Sequence, residues 1–219
     1  MKKIALLAAV LILAAGCKGK KSEAVTPTVG DVEPVATEEF AAEEEEEASE
    51  GKWRKLRLSN LEMNPVEAFA TDWMALSVGN AREFNSMTIS WGSIGQLWGK
   101  PVVTVYVSSD RYTKKLMDKA EYFTLTAFPK SRKCKDALVY LGSHSGRDEK
   151  DKAARAGLTA EFTALGNPVF AEGCMALECR IIYKEEFRRD LLPSDVKPMY
   201  DDMGLHTFYI GEIVASYRK

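Results

Sequence analysis

Asn85-Ser86-Met87-Thr88-Ile89-Ser90-Trp91-Gly92 is the stretch from which the rest of the chain is best read. Met87, Ile89 and Trp91 alternate with the hydroxyls of Ser86, Thr88 and Ser90, a period of two that puts one set on each face of a strand. The hydroxyl row then runs into Gly92, Ser93, Gly95 and Trp98. Such a row leading to a Gly-rich turn can donate several hydrogen bonds to a phosphate or to the polar edge of a ring. It can equally be the solvent side of a half-exposed strand. Both readings stand at this point.

Outward from there the chain is a succession of strands with short helices between them. Upstream, Asn64 as N-cap and Pro65 in the first turn predict a helix over 64–78, stopped by Gly79. Downstream, the β-branched and aromatic run from Pro101 to Val107 predicts a buried strand, 112–120 a short helix, and Tyr122 to Phe128 a further strand. Ser131 can cap a helix through Leu141 with Gly142 as its stop, and Asp148 to Ala156 predicts another, closed by Gly157. Strands follow over Thr159–Leu165, Gly173–Tyr183 and His206–Tyr217, the last two separated by a polar insertion holding Pro193 and Pro198. No repeat is visible. Strands without regular β-α-β alternation predict a mainly β fold with peripheral helices, an antiparallel barrel.

Two further stretches carry residue types suited to an anion. Ser108-Ser109-Asp110-Arg111-Tyr112-Thr113 puts an Arg and a hydroxyl between a strand end and a helix start. Asp110 could as well cap the helix while Arg111 pairs with a surface acid. Ser143-His144-Ser145-Gly146-Arg147-Asp148, followed by Lys150 and Lys152, is a small-residue loop between two helices, either a ligand contact or an ordinary capped connection.

Together these stretches resemble the flavin reductase-like family, in its flavoredoxin branch. The resemblance rests on M-T-I-S-W-G at 87–92, W-G-K-P-V at 98–102, D-R-Y-T at 110–113, F-T-L at 123–125, S-G-R-D-E-K-D-K at 145–152, L-E-C at 177–179 and Y-I-G-E-I at 209–213. It covers roughly 80–217. It implies a Greek-key, FMN-binding split β-barrel that works as a homodimer, with non-covalent FMN in a groove at the dimer interface. Met87, Thr88, Ile89 and Ser90 would line the ring and ribityl chain, with Trp91 and Gly92 closing that end. Arg111, Tyr112 and Thr113 would take the phosphate, and Ser145, Gly146, Arg147 and Lys152 would complete the pocket, in part from across the dimer. His206 holds the place of a His near which a nicotinamide would stack, and so is the implied catalytic residue. In a flavoprotein the chemistry resides in the cofactor, so the lack of a Ser-His-Asp or Cys-His set is expected. No D-x-x-[S/T]-G-A-[S/T] sequence is present for covalent attachment, and no His/Cys spacing suits a metal.

The amino terminus reads as an address. Lys2 and Lys3 precede an apolar run from Ile4 to Ala15 that is too short to span a bilayer and fits a secretory h-region. It ends Leu13-Ala14-Ala15-Gly16-Cys17, which resembles a bacterial lipobox, although Leu lies four residues before the Cys and not three. The expectation is a signal peptide over 1–17, lipidation of Cys17 and an extracytoplasmic domain anchored to a membrane. Residues 18–52 carry four Lys against eleven Asp/Glu, including the unbroken block Glu43 to Glu47. This composition predicts a disordered, extended tether. The domain, 53–219, keeps 24 basic and 21 acidic residues, so the chain's net charge of −2 conceals a nearly neutral folded part. That balance gives no basic stripe for nucleic acid. Cys134, Cys174 and Cys179 are an odd set, and Cys174 and Cys179 in one strand are too far apart to pair. An export signal also separates the domain from reduced nicotinamide, so an unidentified donor and acceptor are expected.

Overall fold

The computed structural model describes residues 51–219. The expected signal peptide, Cys17 and nearly all of the acidic tether lie outside the described residues. In chain order the elements are β1 (Arg54–Leu56), α1 (Pro65–Glu67), β2 (Met74–Gly79), β3 (Phe84–Ile89), β4 (Gly92–Leu97), β5 (Lys100–Ser108), α2 (Tyr112–Met117) and β6 (Tyr122–Ala127). Then come α3 (Arg132–Ser143), α4 (Lys152–Arg155), β7 (Ala160–Phe162), β8 (Pro168–Phe170), β9 (Met175–Glu186) and β10 (His206–Arg218). Short 3-10 turns occupy the polar insertion between β9 and β10.

One sheet runs in the order β3-β2-β6-β9-β10-β5-β4, with β1 added to the far end of β10, and every pairing is antiparallel. Met87 and Ile89 of β3 share one core with Val103, Val105 and Val107 of β5, although these strands stand near opposite ends of the sheet. The sheet therefore curls round its own apolar face without closing by hydrogen bonds, which is a split barrel. Register shifts between Ile210 and Gly211, and between Ile213 and Ala215, bend the two longest strands. Such bulges increase local twist and curvature. Gly211 occupies the first of them against the Phe123 ring. A Cβ there would stand 2.5 Å from that ring and 2.8 Å from Cys179 Cβ. Gly211→Ala should therefore cost roughly 1–3 kcal/mol by overpacking, read as a lower urea midpoint with an unchanged slope.

On the outer face α3 lays Cys134, Ala137, Leu138 and Leu141, one helical stripe, toward the sheet. With Ala75, Ala153, Leu158 and Phe170 the last three form a second, smaller core. The β7–β8 hairpin is fixed to this face by the Thr124 hydroxyl, which donates to the Pro168 carbonyl.

The helix predicted over 64–78 is corrected. Asn64 does cap it, its Oδ1 accepting from Val66 N and Glu67 N at 3.0 and 3.3 Å. A π-helical turn then ends the helix at Asp72, Trp73 takes φ +64°, and β2 follows. Met74 to Val78 are buried without a break. A strand covered on both faces has no alternation to distinguish it from a buried helix segment. Gly142 does not stop α3, which continues to Ser143, and the helix expected over 148–156 shrinks to α4. The strand expected over 159–165 is only Ala160–Phe162. The stretch taken as a Gly-rich turn is β4, paired with β5 through a two-residue turn in which Trp98 and Gly99 both have positive φ.

Candidate functional site

Three stretches far apart in sequence, around Asn85, Arg111 to Thr113 and Leu141 to Lys152, meet beside the start of β3. Asn85, the first residue of the opening motif to be fully buried, donates from Nδ2 to Thr113 Oγ1 at 2.8 Å, tying β3 to the first turn of α2. Gly146 of the loop after α3 lies on the same amide. A Cβ at Gly146 would stand 2.0 Å from Asn85 Oδ1, so only glycine allows this approach. Arg111 precedes α2 and donates from a guanidinium nitrogen to the Gly142 carbonyl at 2.7 Å. Lys152 enters from α4, and its Nζ donates to the carbonyls of Leu141 at 3.2 Å and His144 at 3.1 Å.

Arg111 and Lys152 thus converge on the carbonyl end of α3, where cations are favoured by the helix dipole. Lys152 is 4% exposed, and no carboxylate forms an ion pair with either cation among the described residues. Burial lowers the Lys152 ammonium to about 8, and the neighbouring Arg111 charge pushes the same way, partly offset by Glu149. A hollow of about 210 Å³ is lined by Lys152 together with Phe84, Asn85, Ser86, Lys150 and Asp151; Arg111 and Thr113 do not line it. Two adjoining cations without an ion-paired carboxylate among the described residues, next to hydroxyl and amide donors, form a donor set suited to a phosphate.

Of the hydroxyl row, Ser90 is exposed, whereas Ser86 and Thr88 are packed and not wholly free. Ser86 shares a 2.7 Å hydrogen bond with Ser77, and Thr88 donates to the Leu138 carbonyl. Met87 and Ile89 place their side chains in the barrel core, so of these two only the backbone can meet a ligand. Ser90 and Gly92, with Trp91 between them, line a second hollow of about 420 Å³ together with Pro65, Val66, Phe69 and Ile94. His206 packs against Trp91, with ring centroids 4.8 Å apart, and Tyr200 meets it edge-on at 5.7 Å. His206 is 7% exposed, its Nδ1 has no partner, and burial lowers its pKa with help from Arg111 and against Asp110. Its position follows from register, since His206 opens β10 directly across from Ser108 at the end of β5. Tyr112 is half-buried, Ser145 accepts from the Arg147 amide, and the Arg147 side chain is exposed.

The model of the flavin reductase like domain matches residues 66–219 of this chain. The chain belongs to that family. A comparison with curated proteins gave no match. Among solved structures this flavin reductase-like chain is similar to a flavoredoxin from Methanosarcina acetivorans, at 22% identity over 76% of each chain and a TM-score of 0.54. It is also similar to an FMN-binding protein from Thermus thermophilus, at 22% identity over 75% of this chain and 80% of that one, TM-score 0.54. An NADH:FAD oxidoreductase from Streptomyces globisporus gives 20% identity over 68% of this chain and 76% of its own, TM-score 0.53. At these identities the likeness concerns the fold, which agrees with the antiparallel split barrel described above. Asn85 joins the candidate site through its bond to Thr113, although the resemblance did not mark it. Its signal was available, because an Asn opening a strand of hydroxyls is a poor choice for a buried position unless its amide has partners.

Proposed function

We propose that the domain binds FMN non-covalently and serves as a membrane-tethered flavin reductase-like oxidoreductase or electron carrier. The observation that carries this reading is the pair Arg111 and Lys152, two cations with no ion-paired carboxylate among the described residues, bracketed by Thr113 and Asn85. These groups would hold the phosphate. The backbone of Met87 to Ser90, with Trp91 and Gly92, would face the ring system. When bound, FMN supplies hydride and single-electron chemistry that no side chain here can perform. The protein's part is to bind and orient it. FAD carries a phosphate at the same position, and the comparisons include FAD as well as FMN proteins, so FMN is the narrower proposal.

Arg111→Ala should weaken FMN binding by roughly tenfold or more, as expected for loss of one charge-assisted hydrogen bond of about 1.5–3 kcal/mol. Riboflavin, which lacks the phosphate, should bind the variant and the parent alike. Unchanged FMN affinity would remove Arg111 from the site.

A homodimer would bring the exposed Arg147, with Ser145, within reach of a neighbouring site. The proposed lipid at Cys17 and the acidic tether would hold the domain outside the cytoplasm, supplied by an electron carrier other than a nicotinamide. A second reading, a flavin- or ligand-binding lipoprotein without turnover, is favoured by one observation. His206, the ring implied for nicotinamide stacking, is enclosed by Trp91 and Tyr200. Steady consumption of a reduced donor by the flavin-loaded protein supports the oxidoreductase; retained flavin with no turnover on any donor supports the binding protein.

A further inference from the structure

All three described cysteines are free thiols, and two of them look into the same layer. In β9, Leu177 and Cys179 belong to the barrel core, so Ala176 and Glu178 project from the opposite face. Cys174, one residue before the strand, is in step with that opposite face. Its amide donates to the Ala127 carbonyl at 2.9 Å and its Sγ lies 3.6 Å from the same oxygen, which fixes it against the last residue of β6. From Ala127 the chain turns through three residues to Ser131, whose hydroxyl caps Cys134 N at 3.2 Å. Cys134 is then the first member of the α3 stripe that faces the sheet, and it is 9% exposed. Sheet parity and helix stripe therefore put both thiols in the layer between the sheet and α3, one short turn apart along the chain. Cys179 points the other way and is fully buried.

We propose that Cys134 and Cys174 are a disulfide-forming pair, oxidised to a single intrachain bond that staples the first turn of α3 to the entry of β9. The oxidant is a disulfide, either a small one such as oxidised glutathione or that of a dithiol oxidase. Cys174, the less buried thiol, attacks one sulfur of the oxidant as thiolate and releases the other as a thiol. The Cys134 thiolate then displaces the remaining half. The two cysteines lose two protons and two electrons, and the oxidant gains both as two thiols. Burial pushes the Cys174 thiol up, and the Cys134 thiol beside it acts in the same direction. The first step should therefore quicken as pH rises.

The test is oxidation of the reduced full-length protein by oxidised glutathione, followed by alkylation in denaturant and peptide mapping without reduction. The expected result is a peptide joining Cys134 to Cys174, about 2 Da lighter than the two reduced peptides together, with Cys179 still alkylated. The melting temperature should rise by roughly 5 °C or more, since closure of a long loop restricts the unfolded chain. Cys134→Ser should instead keep a glutathione adduct on Cys174. The proposal is overturned if the parent retains both thiols or a lasting Cys174 adduct, or if either cysteine is found bonded to Cys179 or to a second chain.

Discussion

Lys152→Met is expected to reduce FMN affinity by roughly ten- to a hundredfold, the loss of one buried charge-assisted contact to a phosphate, while leaving riboflavin affinity nearly unchanged. Met keeps the length and apolar stem of Lys152, so the effect isolates the charge. The same residue gives the parent a pH dependence of known sign. In the free protein the ammonium is lowered to about 8 by burial and by Arg111. Below that value it is charged and available to a phosphate; above it the free protein must first take up a proton to bind. FMN affinity should therefore fall as pH rises through about 8, with a limiting slope of roughly tenfold per unit for one linked proton. Stability without ligand should move the other way. An unfolded chain keeps the proton up to about 10.4, so the unfolded state binds more protons between about 8 and that value, and stability rises with pH across the window. Fluorescence titration with FMN and with riboflavin from pH 7 to 9.5, alongside urea melts, checks both. In Lys152→Met the FMN slope and the stability rise should both be absent.

Glu178→Ala is expected to destabilise the fold by roughly 3 kcal/mol or more, because each buried donor left unpaired costs about 1–3 kcal/mol. Glu178 is 1% exposed on the outer face of β9. Its Oε2 accepts from the Tyr217 hydroxyl at 2.9 Å, and its Oε1 from Asn167 Nδ2 at 2.7 Å and from the Thr163 hydroxyl. Thr163 and Asn167 flank the turn between β7 and β8, so the carboxylate fixes that hairpin to the sheet. Of the orphaned donors Asn167 is buried, while Thr163 and Tyr217 are half-buried, and a satisfied network becomes a partly satisfied one. A fall in melting temperature of roughly 6–12 °C should follow for a domain of this size. Glu178→Gln, which keeps one acceptor oxygen, should lose less. A melt for Glu178→Ala within about 1 °C of the parent would contradict this account of the network.

The mainly β architecture was legible where strands alternate or are strongly β-branched, as in β3, β5 and β10. It was not legible in β2, where burial on both faces erased the period and a genuine Asn64 cap just upstream made the whole segment look helical. Nor was it legible in β4, where Gly92, Ser93, Gly95 and Gln96 leave only Ile94 and Leu97 as apolar residues, three apart and out of strand alternation, and which is held by pairing with β5. The Arg111 and Lys152 cluster was visible as residue types near loop and helix starts, but their convergence on the end of α3 is a property of the sheet order and could not be read from spacing. The hydroxyl row is divided in a way that spacing does not show: Ser90 is exposed, whereas the Ser86 and Thr88 hydroxyls bond to Ser77 and to the Leu138 carbonyl.

On the proposed reading this barrel holds a flavin through its phosphate. The direct measurement is the visible absorption spectrum of the purified protein after incubation with FMN and gel filtration. The account predicts that the two visible bands of an oxidised flavin co-elute with the protein, bleach with dithionite and return in air, and are much reduced in the Arg111→Ala and Lys152→Met variants. A colourless protein peak, with all the flavin in the small-molecule fraction, would contradict it.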